Sequence, residues 1–570
     1  MWRHSIGCVF ILGCLGGATD VPPDIRAELE CPGDTSGICD DVPGAVLRAG
    51  AARASVVPSC FEIYDDVNGN DEYRSDEPFF DCGCDRLCAG DDGYPGPDKG
   101  EGDGVFQPIW LAGFQSARAA RGVRDASEGL LGETDDLLAT VAAFEQGNTS
   151  LAIVSVDGFG WMNDQVLAIR AELAEQGVSL DHLMFHSTHS HATPDTLGIY
   201  GRSITSTGFD AEYAAEMRAT VVGLVQEAFA DLKPVAMKTG KYDLSTTSEK
   251  GVANYLSDTR DPFIIDPWVY AAHFYDVETG EPVVNLVNWA NHPEATADSQ
   301  SLLSADFVHG LRTSVEKGYS WELAEYKGVG GLTVYLNGTV GGMMTPLRIE
   351  NEDPDGNIHA SHSYAKADAI GLQVGHYAVQ AMLNGVEDVS PDLAFRKQSL
   401  YLPIDNVGFQ AMYLVGVLNR PAFNYDPEKQ LDHTNVPEIL TEVNYIELGP
   451  VQILTLPGEV LPELAIGGYD GSHIHAPGYP LVDPGNPNPP DLSASPEGPY
   501  WKDKMSGDYR WIVGLANDEV GYIIPPYNFV IADSGGYILE AEGDHYEETN
   551  SLGPNTAPLL DEALNRMMGW

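Results

Sequence analysis

Five short apolar runs set what this chain can fold into. They are "LAIVSVD" at 151–157, "HLMFHS" at 182–187, "PVVNLVNW" at 282–289, "LTVYL" at 332–336 and "VQILTL" at 451–456. Each is rich in β-branched or bulky residues and too short for a core helix, as a buried strand requires. Between the first two, "NDQVLAIRAELAEQG" at 163–177 places Val166, Ile169 and Leu173 on one helical face, with Asn163 or Asp164 as N-cap and Gly177 as the stop. That spacing predicts a βαβ unit and a mixed α/β fold.

The residues just past these runs are of types that carry chemistry. In open α/β sheets ligands gather beyond the carboxyl ends of the strands. Asp157 ends the first run, and "STHSHATPD" at 187–195 brings His189 and His191 to the end of the second. His292 comes after the third, a glycine-rich turn ending in Thr345 after the fourth, and Glu459 after the fifth. Histidines with a carboxylate and an open position form the ligand set of a catalytic zinc. His186, inside its run, reads as a packed histidine.

These segments carry a resemblance to the neutral/alkaline non-lysosomal ceramidase family. "STHSHATPD" resembles its "ATHTHSGP" segment, "NWANHPEAT" its second histidine segment and "LPGEVLPEL" its "PGE" segment. "ANDEVGYIIP" at 516–525 and "HYEET" at 545–549 are similar to its late tyrosine and terminal segments, in the same order, and "LRAGAARASVVP" at 47–58 to its opening strand. The resemblance implies a large mixed-sheet catalytic domain over 46–570, without the family's C-terminal immunoglobulin-like domain. It implies one zinc held by His189, His292, Glu459 and Tyr522, with His191 beside it. Tyr522 would also donate a hydrogen bond to a developing oxyanion. The implied reaction is cleavage of an amide, in a small-molecule or lipid N-acyl substrate, by water that the zinc activates.

One segment departs from that family, whose "GDVSP" serine is proposed as nucleophile; here the chain reads "GGMMTP" at 341–346. Thr345 takes the serine's place in one alignment, as a catalytic hydroxyl; in the other Met344 does, and no nucleophile is present. The expectation is therefore a zinc hydrolase of unknown substrate. The alternative is a non-catalytic, calcium-stabilised surface lipoprotein that binds a ligand.

The N-terminal region reads as exported. Arg3 and His4 precede an apolar run at 6–12, and "ILGC" at 11–14 resembles a lipobox, with Cys14 as the lipidated residue. This makes 1–14 a lipoprotein signal peptide, 15–45 a linker, and the protein an envelope lipoprotein or a secreted one. All eight cysteines fall in the first 88 residues, and Cys31, Cys39, Cys60, Cys82, Cys84 and Cys88 read as disulfides of open connectivity. Zinc bound by Cys82, Cys84 and Cys88 is the rival reading, which their spacing and an oxidising compartment disfavour.

Within the Cys-rich insertion at 60–104, "DVNGNDEYRSDE" puts Asp66, Asn68, Asn70 and Glu77 at positions 1, 3, 5 and 12 of an EF-hand-like calcium loop, with Asp71 where glycine is usual. Asp92, Asp98, Glu101 and Asp103 offer a second set. The formal net charge of −54 repels nucleic acid and anionic bilayers, leaving the N-terminal lipid as the expected membrane contact.

Overall fold

The computed structural model describes residues 29–33 and 39–570, so Cys14 and the signal segment lie outside the described residues. The described chain begins with β1 (Leu29–Cys31) and β2 (Arg48–Ser55), followed by the hairpin β3 (Leu138–Gln146) and β4 (Thr149–Val156). Helix α1 (Asn163–Glu175) crosses to β5 (His182–Ser187), which is parallel to β4, so the expected βαβ unit forms. After α2 (Ala211–Ala230) come the antiparallel strands β6 (Lys233–Asp243), β7 (Trp268–Asp276) and β8 (Pro282–Trp289). Helix α3 (Phe307–Glu316) leads to β9 (Leu332–Asn337), parallel to β8. With β10 (Val386–Asp388) set against β6, a nine-stranded sheet results, in the order β9-β8-β7-β6-β2-β3-β4-β5.

The two parallel pairs lie at opposite edges of this sheet, yet the sheet coils until those edges touch. The Ser155 hydroxyl of β4 donates to the Tyr335 carbonyl of β9 at 2.6 Å, and the Asn337 amide donates to the Thr188 carbonyl at 3.1 Å. The Asn337 backbone N–H donates to His186 Nε2 at 2.8 Å. Burial lowers the His186 pKa to about 3, so the ring remains an acceptor and serves as a seam residue. Closing this seam brings the carboxyl ends of β5, β8 and β9 to one place.

A second sheet packs against the first. It comprises β11 (Leu393–Pro403), β12 (Glu438–Leu448), β13 (Val451–Thr455) and, after the two-residue β14 (Glu459–Val460), β15 (Tyr509–Val513), in the order β1-β11-β12-β13-β15. Phe144, Ile153, Met237, Phe274 and Leu286 of the large sheet meet Phe395, Ile446, Ile453, Trp511 and Val513 of the small one in a dry core. Burying each such side chain contributes about 1.5–3 kcal/mol, so this interface is a main source of stability. Helices α1 and α2 cover the β2–β5 face, while α3 and α4 (Tyr364–Leu383) cover β7 and β8. The last strand, β16 (Tyr522–Ile523), pairs with β14.

Several local expectations change. Residues 29–31, placed in the linker, pair with β11 as an edge strand, and Cys31–Cys39 staples the turn behind them. Among the described residues Cys60–Cys84 and Cys82–Cys88 are also bonded, which consumes the three thiols of the alternative zinc site. The N-cap of α1 is Met162, without a side-chain cap. Instead Asp518 Oδ1 accepts from the Asn163 N–H at 3.1 Å, a tertiary partner doing what a local cap would do. Asp157 is no rim ligand, because its two oxygens take Arg312 at 3.0 and 2.6 Å.

In the acidic insertion the first loop closes on itself. Asp66 accepts backbone N–H groups from Gly69, Asn70 and Asp71 at 2.8–3.1 Å, and the Asn68 amide donates to Glu77 at 2.8 Å. Asp71 holds φ 56°, the left-handed turn that glycine supplies in an EF-hand loop. The second acidic set does not converge: Asp98 caps Cys84 and Asp85, whereas Asp103 accepts from Val105 and Gln107.

Candidate metal centre and cavity

His189 and His292 arrive from different edges of the large sheet and meet over Glu459. His189 stands just beyond β5 at φ 70°, a turn that directs its ring inward. Its Nδ1 lies 2.6 Å from the Phe159 carbonyl, and His292 Nδ1 lies 2.8 Å from the Met344 carbonyl. A carbonyl only accepts, so each Nδ1 carries the hydrogen and each Nε2 presents a lone pair. The His292 Nε2 sits 2.9 Å from Glu459 Oε2 and the His189 Nε2 3.5 Å from the same oxygen. Three electron-rich atoms thus converge where hardly any solvent reaches.

Electrostatics report the same convergence. Burial alone would raise the Glu459 carboxyl, but positive charge on the His189 and His292 rings, with the hydrogen bonds those charged rings donate, holds it down. Burial alone would lower His292, and the hydrogen bond its protonated ring donates to Glu459 raises it instead. The group calls for a cation among its donors, either a proton or a metal ion.

A third imidazole completes the group. Nitrogens of His189, His191 and His292 lie within 4.8 Å of one another, close enough to hold one metal ion. Both ring nitrogens of His191 lack a hydrogen-bond partner, and Glu294 Oε2 is 3.3 Å from its Nδ1 without hydrogen-bond alignment. Burial keeps His191 unprotonated, with a pKa well below the ordinary value, so it offers lone pairs rather than charge. Close approach is built in at Gly113, where a Cβ would come 2.4 Å from His191 Cγ. Imidazole and carboxylate donors with tautomers fixed by backbone carbonyls fit a zinc-type ion.

Tyr522 reaches the centre through the backbone, since it is the Cα partner of Glu459 in the parallel β14–β16 ladder. Burial, followed by the Glu459 charge, pushes its phenol well above 10, so it remains a hydrogen-bond donor. Its hydroxyl touches Met343 Sδ at 3.0 Å. Thr345 is elsewhere: its hydroxyl donates to Glu294, and it does not line the cavity, whereas Met343, at φ 57°, does. Met344, the other aligned position, is buried in the core beside α3. The turn before them needs its glycine, because a Cβ on Gly341 would meet the Glu459 carbonyl at 2.4 Å.

Above these groups opens a cavity of about 360 Å³ walled by Phe114, Phe159, Tyr200, Phe409, Tyr413 and Leu552. Its one cation, Arg420, is paired with both oxygens of Asp518 at 2.8 Å and carries no free charge. Glu294 and Glu519 join the floor. Burial pushes Glu294 up to about 7, against the lowering effects of His292 and the Thr345 hydroxyl. Burial, then the Glu459 charge, drives Glu519 well above the usual carboxyl range, and its Oε2 has no partner. Sequence reasoning misses both glutamates. Glu294 has a signal, two residues after His292 in the same strand-end turn; Glu519 has one too, three residues before Tyr522 within the segment at 516–525.

The class is thus a two-sheet α/β fold with a buried His–Glu centre beneath an apolar cavity. Its architecture is that of the neutral ceramidases. It is similar to the structure of neutral ceramidase from Pseudomonas aeruginosa, with TM-score 0.56 and 14% identity over 93% of this chain and 74% of that one. It is similar also to a ceramidase complexed with C2, with TM-score 0.56 and 13% identity over 92% and 75%. No protein-family model matches the chain, and no curated protein matches it in sequence.

Proposed function

We propose that the protein is an exported, zinc-dependent hydrolase of N-acyl amides with an apolar acyl chain. The observation that carries this reading is the convergence of His189 Nε2 and His292 Nε2 on one oxygen of Glu459 at the floor of an apolar cavity. His189, His292, Glu459 and Tyr522 would hold the metal, with His191 at its side. Bound there, zinc supplies Lewis-acid polarisation of the amide carbonyl and acidification of a water molecule.

The protein's own groups do the rest. The aromatic and aliphatic walls bind the acyl chain and exclude water, which strengthens every polar interaction on the floor. The Tyr522 phenol, neutral and buried, donates to the oxygen on which charge develops. Glu294, with a pKa near 7, holds or releases a proton within reach of His191. Thr345 orients Glu294 by its hydrogen bond, which makes it a positioning residue rather than a nucleophile. Calcium in the 66–77 loop is proposed as a structural ion, and Cys14 as the lipid attachment point.

One observation favours a second reading, ligand binding without turnover: Met343 projects into the cavity and covers the Tyr522 hydroxyl. Purified protein assayed over amide and ester libraries, with and without chelator, separates the two. Amide cleavage that chelation abolishes and zinc restores supports the hydrolase. Retention of an apolar ligand by zinc-loaded protein that cleaves nothing supports the binder.

A further inference from the structure

Helix α5 (Val407–Val415) is apolar on both sides, and only one side is covered. Its inner face sends Phe409 and Tyr413 into the cavity wall, with Leu418 just beyond the helix. Its outer face carries Val407, Ala411, Leu414 and Val415, the i, i+4, i+7, i+8 stripe of a helix seeking an apolar partner, and all four are exposed. Leu414 and Val415 are 56% and 62% accessible. A second loop connects to the same cavity: Tyr537 packs on Phe529 with ring centroids 6.1 Å apart, Phe529 belongs to the apolar cluster of Met343 and Tyr522 in the cavity lining, and Ile538 and Leu539 beside Tyr537 are exposed. Single exposed aliphatics are ordinary, but a stripe joined through one helix to an apolar cavity is not.

We propose that α5 and the 538–539 loop dock the protein on an uncharged or zwitterionic lipid surface, from which an acyl chain enters the cavity without crossing water. The charge distribution selects this occupant. No lysine or arginine lies on α5, Asp533, Glu540 and Glu542 flank the loop, and the chain carries a net charge of −54. An anionic bilayer is therefore repelled, and attachment depends on insertion of apolar side chains. The docking face shares its cavity with the proposed hydrolysis but needs neither zinc nor turnover, and it adds a protein contact to the lipid anchor expected from sequence.

The test uses the full chain carrying Cys14→Ala, so that no lipid can be attached there, and measures co-sedimentation with phosphatidylcholine vesicles. Binding is expected, weakened on the order of tenfold by Leu414→Asp with Val415→Asp, and similarly by Ile538→Asp with Leu539→Asp. Adding phosphatidylglycerol to the vesicles should weaken it further at low salt. His292→Ala should bind vesicles like its parent, so a failure of the hydrolase reading leaves this result standing. No binding to phosphatidylcholine vesicles, or binding indifferent to both variant pairs, overturns the proposal. Concentration-dependent dimerisation that Leu414→Asp abolishes, without vesicle binding, also overturns it and assigns the face to a second copy of the chain.

Discussion

Glu459 and Tyr522 are Cα partners in a ladder only two residues long, so the carboxylate and the phenol are placed by one backbone register rather than by mobile loops. The long stretch of chain between them has no bearing on their distance. Tyr522→Phe keeps the ring and the ladder while removing the donor. It should lower kcat by about 10²–10³-fold, the range for loss of one oxyanion donor, with the fold unchanged by circular dichroism.

Thr345→Ala separates a nucleophile from a positioning residue. The hydroxyl donates to Glu294, not to the cavity, so its removal should cost on the order of tenfold in kcat, leave zinc content unchanged and shift the pH–rate profile as Glu294 loses its donor. An inactive Thr345→Ala with full zinc, beside a nearly normal Tyr522→Phe, reverses the mechanism and restores the nucleophile.

For the metal, elemental analysis should find about one zinc per chain, lost in His292→Ala. Removing zinc from the parent should also lower the melting temperature, because Glu459 would then face two imidazoles with only protons to compensate. An unchanged zinc content in His292→Ala would place the ion elsewhere.

In the 66–77 loop the backbone already has the EF-hand turn, with Asp71 at the glycine position. Calcium should therefore raise the melting temperature of metal-stripped protein, and Glu77→Gln should blunt that shift by removing the carboxylate at position 12. Calorimetric titration checks both.

Much of the site is legible in the sequence because strand ends are set by short-range patterning. The runs at 151–157, 182–187, 282–289 and 451–456 form strands, and the chemistry carried by His189, His292 and Glu459 converges. Consequences of tertiary closure are not legible there. Nothing local says that β5 and β9, at opposite edges, meet through His186 and Asn337. Nor does spacing say that Arg312 takes Asp157, or that Asp518 caps α1, since those partners lie far along the chain. The role of Met343 depends on one left-handed residue, which a methionine gives no reason to expect.

Acid should weaken the protein through the segment "HYEET". Arg260 is buried between Glu547 and Glu548, at 2.6 and 2.8 Å, and His545 Nδ1 lies 3.0 Å from Glu548. This cluster anchors the short helix α6 (Tyr546–Thr549), whose Tyr546 lines the cavity. Burial would raise the Glu548 carboxyl, but the hydrogen bonds from His545 and Arg260 outweigh it and hold it down to about 2, against 4.5 unperturbed. A depressed carboxyl contributes stability that is complete above its unfolded pKa and is lost as the pH falls through the folded one. The contribution is about 3 kcal/mol above pH 5 and fades between 4.5 and 2. Glu547, pushed up by burial, titrates in the opposite sense, so the effect must be read as a difference between two proteins. In urea melts Glu548→Gln should be the less stable at pH 6, and that gap should shrink by more than half by pH 3. A gap that stays constant over this range would mean that Glu548 has the same pKa folded as unfolded, so that His545 and Arg260 do not hold it down.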